Sequence, residues 1–400
     1  MQNCTKISEN LIYLGGNDRR IALFESAFPV PRGVSYNSYL LKDEKTVLFD
    51  TVDREISDLF FENLTYALDG KTLDYVVVHH MEPDHSATLA AVLERYPDVK
   101  VVTTQKAAVM MNNFFGFSKD ALLVKEGDTL CVGAHTLQFI LAPMVHWPEV
   151  MMTYVKEEGI LFSADAFGTF GALSGSIFAD EAEFDREFLD DARRYYINIV
   201  GKYGVQVQNV LKKAAGLDIK LVCPLHGPIW RKDFSYFLEK YLLWSGYEPE
   251  ERGVVVFYSS VYGHTQNAAE IVATAIAGEG VRVKTYDVAV THVSELVSEA
   301  FRYSHAVFAS TTYNNGIFIA MEQLLADLKA HAWQNRAYAV VENGSWAPQV
   351  GALMEAELSS MKGMRRIGEK TTILSSVNEE SAQALRALGK SIAEDVKGQK

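Results

Sequence analysis

The sequence contains few cysteines. Only Cys4, Cys131 and Cys223 occur among its 400 residues. They are too few and too scattered to form a disulfide framework, a CxxC redox pair or a cysteine-held iron centre. We therefore expect all three to be reduced and mostly structural.

Long apolar runs and an excess of basic residues are also missing. No run approaches the roughly 18 apolar residues of a membrane-spanning helix, and the start, MQNCTKISENLIYL, lacks the charged-then-apolar pattern of a signal peptide. We therefore expect a cytoplasmic protein with no membrane partner. The net charge of −13, from 51 acidic and 38 basic residues, argues against nucleic acid as a partner, because nucleic acid binding requires a basic surface.

The chain is long enough for two domains. Its 400 residues, of which 48% are hydrophobic, can supply a core to each. Charge and a proline in YEPEERG, at 247–253, separate an aromatic helical segment from an apolar strand. We therefore predict one domain over residues 1–250 and a second over 251–400.

The densest group of candidate metal ligands lies in VVVHHMEPDHS. There, His80, Glu82, Asp84 and His85 fall within six positions after an apolar run. A proline and polar residues end the predicted strand, so these side chains share one loop at its carboxyl end. Carboxylates mixed with imidazoles suit iron, manganese or zinc, and four ligands are too many for one open catalytic ion. The loop therefore predicts half of a two-metal site, although a solvated loop with structural histidines is the alternative.

Three residues further along the chain could complete this site. His146 in APMVHWPE, Asp165 in LFSADAFG and His226 in LVCPLHGP each follow an apolar, strand-like stretch. Ligands delivered from several strand ends converge on one edge of a sheet, which is where α/β folds build their sites. Each residue would be unremarkable alone, so its assignment depends on the loop at 80–85.

The second half of the chain contains a candidate phosphate site. In GVVVFYSSVYGHTQNAAEIVATAIA, an apolar strand, a small polar loop at 260–265 and a helix follow one another. Backbone N–H groups and hydroxyls of such a loop can bind a phosphate at the helix N-terminus. The loop lacks both GxxxxGK[ST] and GxGxxG, which disfavours a nucleoside triphosphate and a dinucleotide, and a plain strand-turn-helix junction could look similar.

Two further loops strengthen this prediction. Residues 310–318 (STTYNNGIF) and 342–348 (ENGSWAP) each follow an apolar strand and carry an aromatic residue. Backbone amides and an aromatic face, from Tyr313 or Trp346, are what a phosphorylated flat ring system requires.

Together these motifs resemble those of a known family. The pattern HxExDH at 80–85, followed by His146, Asp165 and His226, resembles the metallo-β-lactamase-like domain of the flavodiiron proteins, or A-type flavoproteins. The three later loops resemble those of flavodoxin, and the resemblance covers roughly residues 6–390. It implies an α/β fold in which an N-terminal metallo-β-lactamase-like αββα sandwich is followed by a C-terminal flavodoxin-like doubly wound parallel sheet. The zinc hydrolases of the superfamily resemble HxHxDH instead, and the carboxylate of Glu82 suits iron better than imidazole does.

The resemblance also implies a set of ligands. On one iron it implies His80, Glu82 and His146, on the other Asp84, His85 and His226, with Asp165 bridging. The implied FMN contacts are Ser260, Val261, Tyr262, Gly263, His264 and Thr265 for the phosphate, and Thr311, Thr312, Tyr313, Asn314, Asn315, Gly316, Asn343, Gly344, Ser345, Trp346 and Ala347 in the other two loops. Thr311 replaces a proline and Val261 a methionine of the flavodiiron pattern, which affects the fit of the ring.

The implied function is that of a flavodiiron reductase. Such an oxidoreductase takes electrons through FMN to a non-haem diiron site and reduces dioxygen to water, nitric oxide to nitrous oxide, or both. The implied electron donor is a protein such as rubredoxin or a rubredoxin reductase, and the implied assembly is a head-to-tail homodimer or a dimer of dimers. A zinc metallo-hydrolase with an appended flavin domain, and a non-catalytic flavin electron carrier or gas sensor, are the alternatives.

A few residues near the candidate ligands are predicted to support the metal site. Asp50, at the end of TVLFD, resembles a carboxylate that orients a histidine ligand, although a turn-forming aspartate would look the same. Strand alternation turns His79 away from His80. Tyr195 or Tyr196 could offer a phenol to a bound substrate, and we expect Trp147 to form a wall of the metal pocket.

Overall fold

The computed structural model describes residues 2–116 and 120–398 and separates into two compact units. The units are Met1–Tyr241 and Leu242–Lys400. The domain boundary predicted at residue 250 stays a prediction. Within the described residues, no helix combines the length and the apolar character needed to cross a membrane.

The first unit is built from two main sheets and two small strand pairs. Its strands are β1 (Thr5–Lys6), β2 (Leu11–Tyr13), β3 (Gly16–Asp18), β4 (Leu23–Phe24), β5 (Phe28–Pro29), β6 (Val34–Tyr36), β7 (Tyr39–Lys42), β8 (Thr46–Phe49), β9 (Tyr75–Val77), β10 (Lys100–Thr103), β11 (Ala121–Leu123), β12 (Thr129–Cys131), β13 (Thr136–Leu141), β14 (Met151–Val155), β15 (Ile160–Phe162) and β16 (Leu221–Cys223). In the described residues, one sheet has the order β1-β2-β7-β8-β9-β10-β11 and the other the order β12-β13-β14-β15-β16. The pairs β3-β6 and β4-β5 lie outside them.

Both main sheets are mixed. In the first, β8, β9, β10 and β11 pair in parallel, and the strands before them pair antiparallel. In the second, only the β15-β16 pairing is parallel. The sheets face each other through aromatic rings: Phe162 of β15 stacks on Phe49 at 3.8 Å between ring centroids, and it lies 5.3 Å from the tilted ring of Tyr39. The core of the unit therefore lies between the two sheets.

Helices occupy the connections of the first unit. The α-helices are α1 (Ser57–Leu68), α2 (Pro83–Ser86), α3 (Leu89–Arg95), α4 (Gln105–Phe115), α5 (Phe184–Glu187), α6 (Leu189–Tyr195), α7 (Gly204–Ala214) and α8 (Phe234–Ser245), which begins in this unit and ends beyond Tyr241. Short 3-10 turns lie at Arg54–Ile56, Ala179–Glu181 and Gly201–Tyr203, and a π-helical turn at Tyr196–Val200 follows α6. This arrangement is the αββα sandwich expected from the sequence.

The second unit is a parallel sheet covered by helices. Its elements are β17 (Glu251–Tyr258), α9 (His264–Gly278), β18 (Val283–Asp287), α10 (Val293–Arg302), β19 (Tyr303–Thr311), α11 (Ile319–Ala330), β20 (Ala337–Asn343), α12 (Val350–Ser359), β21 (Arg365–Arg366), β22 (Thr371–Ile373) and α13 (Glu379–Gly398). The strand order is β18-β17-β19-β20-β21, with β22 also paired to β20, and every pairing is parallel.

This strand order fixes where a ligand can bind. The chain crosses from β18 over β17 to β19, so the strand order reverses between β17 and β19. Open α/β sheets bind ligands at the carboxyl ends of strands beside such a reversal. Buried apolar residues of α9 and α13, including Val272 and Leu385, pack against Val256, Val307 and Val341 of the sheet. The flavodoxin-like doubly wound sheet expected from the sequence is thereby confirmed.

Candidate metal centre and cofactor site

All the candidate metal ligands follow strands of the first unit. The loop carrying His80, Glu82, Asp84 and His85 comes after β9, His146 after β13, Asp165 after β15 and His226 after β16. The side chains of these residues are buried, with Glu82 and Asp84 the most exposed at 9% each. Two groups of donor atoms form there, and within each group the atoms lie within 4.8 Å of one another.

The backbone of the 80–85 loop divides its ligands between the two groups. Glu82 is extended, with φ −58° and ψ 138°, and the helical turn α2 begins at Pro83. Side chains two positions apart in extended chain point to the same side, which places His80 with Glu82. The helical turn then redirects Asp84 and His85 to the second group.

The first group contains His80, Glu82, His146 and Asp165. Oε2 of Glu82 is 3.1 Å from Nε2 of His80 and 3.0 Å from Nε2 of His146. Oδ2 of Asp165 lies 3.2 Å from each of the same two nitrogens. Donor atoms bound to one ion at about 2.0–2.2 Å lie about 3.0–3.5 Å from one another, so these separations match a shared metal.

The second group contains Asp84, His85 and His226. Oδ2 of Asp84 is 3.3 Å from Nε2 of His85 and 3.2 Å from Nε2 of His226, and the two nitrogens are 3.1 Å apart. Oδ1 of Asp165 lies 3.1 Å from Nε2 of His85 and 3.7 Å from Nε2 of His226. Asp165 therefore turns one carboxylate oxygen toward each group.

Several buried atoms of this cluster make no hydrogen bond to any described residue. They are both carboxylate oxygens of Asp84, Oδ1 of Asp165 and Nδ1 of His85. A buried carboxylate without a hydrogen-bonding partner is costly, and a coordinated cation removes that cost. The donor set therefore fits a pair of metal ions.

The pKa shifts of the cluster also favour a pair of bound metal ions. Burial of the Asp165 carboxyl opposes its ionisation, but the adjacent rings of His85 and His80 hold its pKa well below its usual range. Burial of the His80 ring likewise opposes its charged form, but the Asp165 carboxylate raises the pKa of His80 well above its usual value. Imidazoles and carboxylates buried side by side in this way can exchange bound protons for metal ions.

Two ligand rings are oriented by groups behind them. Nδ1 of His80 lies 2.8 Å from Oε1 of Glu149, and Nδ1 of His226 lies 2.8 Å from the backbone oxygen of Ser35. The backbone of Gly227 is also fixed, because its N–H donates to Oγ of Ser35 and its oxygen accepts from Asn37. A neutral ring that donates from Nδ1 presents its Nε2 lone pair to the metal position.

Asp50 has a different partner from the one expected. Its carboxylate contacts Nδ1 of His79 and accepts a 2.7 Å hydrogen bond from the His79 N–H. Nε2 of His79 is 2.7 Å from Oγ1 of Thr153. His79 therefore points away from the metal groups, as alternation predicts, and Asp50 orients this ring rather than that of a candidate ligand.

Aromatic side chains surround the second group. Tyr195 lies 5.4 Å from the His226 ring, and Phe24 and Tyr36 contact the same ring edge-on. Tyr196 contacts Tyr241 instead, at 4.8 Å. Of the two tyrosines considered from the sequence, Tyr195 is the one placed beside a candidate ligand.

The first group also has an aromatic neighbour, Trp147. Its ring is 5.2 Å from that of His80 and 6.2 Å from that of His146. Glu25 lies nearby, where desolvation and a hydrogen bond to the carboxyl of Glu82 raise its pKa to about 9. The sequence analysis did not identify Glu149, Ser35 or Glu25. Of these, only Glu149 could have been suggested by its position, because it lies three residues after the candidate ligand His146.

A cavity of about 240 Å³ lies at the carboxyl ends of β17, β19 and β20. Gly263, with φ 89°, ends the loop after β17 and caps the start of α9, and its N–H donates to Oγ of Ser260 in the same loop. The residues that line the cavity are Ser260, Val261, Tyr262, His264, Thr265, Thr311, Asn343, Ser345 and Ser375. Hydroxyls beside a helix N-terminus form a suitable anion site. Ser375, in the loop after β22, was not expected from the sequence.

The other two predicted loops extend beside this cavity. Tyr313 and Gly316 exchange two backbone hydrogen bonds around Asn314 and Asn315, whose φ angles of 49° and 59° match a type I′ turn. The hydroxyl of Thr312 is used within the fold, where it accepts from the N–H groups of residues 349 and 350. Gly344, Trp346 and Ala347 belong to the loop after β20 and do not line the cavity.

Exposed aromatic side chains flank the cavity. Tyr262 is 88% exposed, Trp346 79% and Tyr313 40%. Exposed rings of this size beside a polar cavity are suited to the faces of a flat ring system.

The fold and the two sites define a class of protein in which a β-lactamase-like metal domain precedes a flavodoxin domain. A model of the ODP family beta lactamase matches residues 34–227, and a model of flavodoxin matches residues 256–386. The chain is 32% identical over 347 residues to the anaerobic nitric oxide reductase flavorubredoxin of Aeromonas hydrophila, covering 85% of this chain and 70% of that protein.

Solved structures extend the comparison over the whole chain. The rubredoxin oxygen:oxidoreductase of Desulfovibrio gigas is 29% identical, with a TM-score of 0.92 and 99% of each chain covered. A mutant of the flavo di-iron protein from Thermotoga maritima is 25% identical, with a TM-score of 0.91 and 99% of each chain covered. The chain belongs to the flavodiiron protein family, and this membership places it among the oxidoreductases.

Proposed function

We propose that the chain is a flavodiiron reductase that takes electrons through FMN to a non-haem diiron site. Its substrate would be dioxygen, reduced to water, or nitric oxide, reduced to nitrous oxide, or both. One observation carries this proposal: two adjacent groups each contain two histidines and one carboxylate. Asp165 lies between them and turns one of its two oxygens toward each group.

This ligand chemistry favours iron over zinc. Two histidines and one carboxylate are the ligand set typical of non-haem ferrous sites. With one oxygen of Asp165 counted in each group, each ion would have four protein donors, which would fill a tetrahedral zinc site but leave positions open on a six-coordinate iron. Glu82, Asp84 and Asp165 would supply three negative charges against the four positive charges of two ferrous ions.

The chain's own residues would position the substrate and a proton. Asp165 would hold the two ions at a fixed separation, which makes coupling of two bound molecules effectively intramolecular. Burial and the charges of Asp165 and Asp84 raise the pKa of Tyr195 far above its usual value, so its hydroxyl keeps its proton. We propose that this hydroxyl donates a hydrogen bond to the bound substrate. Trp147, Phe24 and Tyr36 would limit the access of water.

The second site fits the phosphate end of FMN. A cavity of about 240 Å³ is smaller than the roughly 300–1,000 Å³ of pockets that enclose a whole ligand. We therefore propose that the hydroxyls and N–H groups of residues 260–265 hold the phosphate, while the ring lies against the loops at 311–316 and 343–347. Bound FMN would supply an electron carrier that accepts one or two electrons.

The electron donor and the assembly are also proposals. We propose an electron-donor protein such as rubredoxin or a rubredoxin reductase, and a head-to-tail homodimer or a dimer of such dimers. Both follow from the family resemblance. Because this chain has a net charge of −13, an acidic donor would have to dock through a local patch rather than through overall charge.

Metal analysis combined with anaerobic turnover tests the proposal. Two irons and one FMN per chain, with consumption of dioxygen or nitric oxide under one common reductant, are the expected results. A protein that binds zinc, hydrolyses a β-lactam or a thioester and consumes neither gas would instead be a metallo-hydrolase. A protein with flavin but no iron would be an electron carrier.

A further inference from the structure

Glu149 is a buried carboxylate directly behind one candidate metal ligand. Its side chain is fully enclosed, and Oε1 lies 2.8 Å from Nδ1 of His80. The same oxygen accepts a 3.0 Å hydrogen bond from the N–H of Met81. Glu149 therefore fixes both the ring of His80 and the backbone of the loop that supplies ligands to both metal groups.

The second oxygen of Glu149 has no such role. Oε2 is buried and makes no hydrogen bond to any described residue. The carboxyl group of Glu149 is thus buried beside the metal ligands and contacts one of them, His80, through one oxygen.

In the described residues, no carboxylate contacts Nδ1 of either histidine of the second metal group. Nδ1 of His226 faces the neutral backbone oxygen of Ser35 at 2.8 Å. Nδ1 of His85 is buried and has no hydrogen-bonding partner in the described residues. The two groups have the same types of ligand but different partners behind their imidazoles.

A carboxylate behind a ligating imidazole makes that ring more basic and fixes its tautomer. We propose that Glu149 is a positioning residue that makes the two metal positions inequivalent, so that the position formed by His80, Glu82 and His146 binds metal first and more tightly than its neighbour. This inference depends on the proposed function, because it takes the two groups as metal sites.

The substitution Glu149→Gln isolates the charge. Both contacts use Oε1, so a glutamine oxygen in that place can keep both hydrogen bonds while the amide nitrogen replaces Oε2. The loop keeps a further anchor in the hydrogen bond from the His79 N–H to Asp50, which supports folding of the variant.

A matched control is available at His135. Nε2 of His135 lies 2.8 Å from Oε1 of Glu158, which is also a carboxylate–imidazole contact, and neither residue belongs to a metal group. Glu158→Gln removes the same charge in the same unit without altering a candidate ligand. Any effect of charge loss alone would appear in both variants.

Anaerobic titration of the metal-free protein with cobalt(II), followed by its visible absorption and by calorimetry, tests the inference. Wild-type protein should bind two ions in two resolved phases. Glu149→Gln should weaken the tighter phase by about 10- to 100-fold and leave the looser phase unchanged. Glu158→Gln should match the wild type.

Proton NMR of the cobalt-loaded protein gives a second signature. The Nδ1–H of His80 should appear as a metal-shifted, slowly exchanging resonance that moves in Glu149→Gln and not in Glu158→Gln. Two phases that weaken equally, or a tight phase that Glu149→Gln does not change, would overturn the inference and leave the diiron proposal standing. Wild-type protein that binds fewer than two ions would overturn both.

Discussion

Gly227 follows the candidate ligand His226, and its replacement by alanine should disrupt the metal centre. The residue has φ 74°, a backbone conformation that costs an L-residue about 1–2 kcal/mol. A Cβ atom there would lie 2.1 Å from Cγ2 of Thr169, which is far inside van der Waals contact. Overpacking of this kind costs about 1–3 kcal/mol, so Gly227→Ala should destabilise the first unit by about 2–5 kcal/mol in total.

A second glycine separates the two contributions. Gly70 has φ 79°, and a Cβ atom there would meet nothing within 4 Å. Gly70→Ala should therefore cost only the conformational part, about 1–2 kcal/mol. Urea denaturation, monitored through the hydrogen exchange of peptides from the first unit, measures the free energy of unfolding of both variants. Iron content should fall in Gly227→Ala and be normal in Gly70→Ala.

The partner of the clash can also be changed. Thr169→Ser removes Cγ2 but keeps the hydroxyl that donates to the oxygen of Phe170. In this background, Gly227→Ala should cost about 1–2 kcal/mol less than in the wild type, because the overpacking is partly relieved. Equal costs for Gly227→Ala and Gly70→Ala, or no relief from Thr169→Ser, would refute the steric reasoning.

Three further predictions concern the proposed metal centre. Asp165→Ala should abolish gas consumption without changing FMN content, and retained turnover would contradict the bridging role. Burial opposes protonation of His85 and His146, but neighbouring carboxylates raise the pKa of each to about 9 without metal. Since metal binds the neutral ring, uptake at pH 7 should release protons and its affinity should rise up to about pH 9; calorimetry in two buffers that shows no proton release would be the contrary result. Tyr195→Phe should lower kcat about 10- to 100-fold with unchanged iron content, and an unaltered kcat would remove its proposed role as a hydrogen-bond donor to the substrate.

The sequence predicts the architecture and the clustering of candidate ligands because both depend on strand ends. His146, Asp165 and His226 each follow a strand, and the pairing of those strands brings all three to the loop at 80–85. Residue order and apolar patterning contain that information. The same reasoning located the loops at the carboxyl ends of β17, β19 and β20.

The sequence does not predict which side chains support the ligands. Asp50 orients His79 rather than a ligand, and the hydroxyl of Thr312 caps α12. Glu149 contacts His80 through Oε1, and Ser35 contacts His226 through its backbone oxygen and Gly227 through Oγ; the direction of each atom depends on the local backbone. Such contacts depend on local φ/ψ angles and on how distant segments pack, and residue type alone does not fix either.

The loop at 80–85 explains how one short segment can supply both candidate metal positions. Because Pro83 begins a helical turn directly after the extended residue Glu82, His80 and Glu82 face one group while Asp84 and His85 face the other. Bonded backbone geometry, rather than the packing of separate elements, then sets much of the distance between the groups. Asp165 spans the same distance with the two oxygens of a single carboxylate. The spacing of the two groups is thus fixed by the backbone of the 80–85 loop and by Asp165. Such a fixed spacing suits chemistry in which two small molecules, or the two atoms of one, must react side by side.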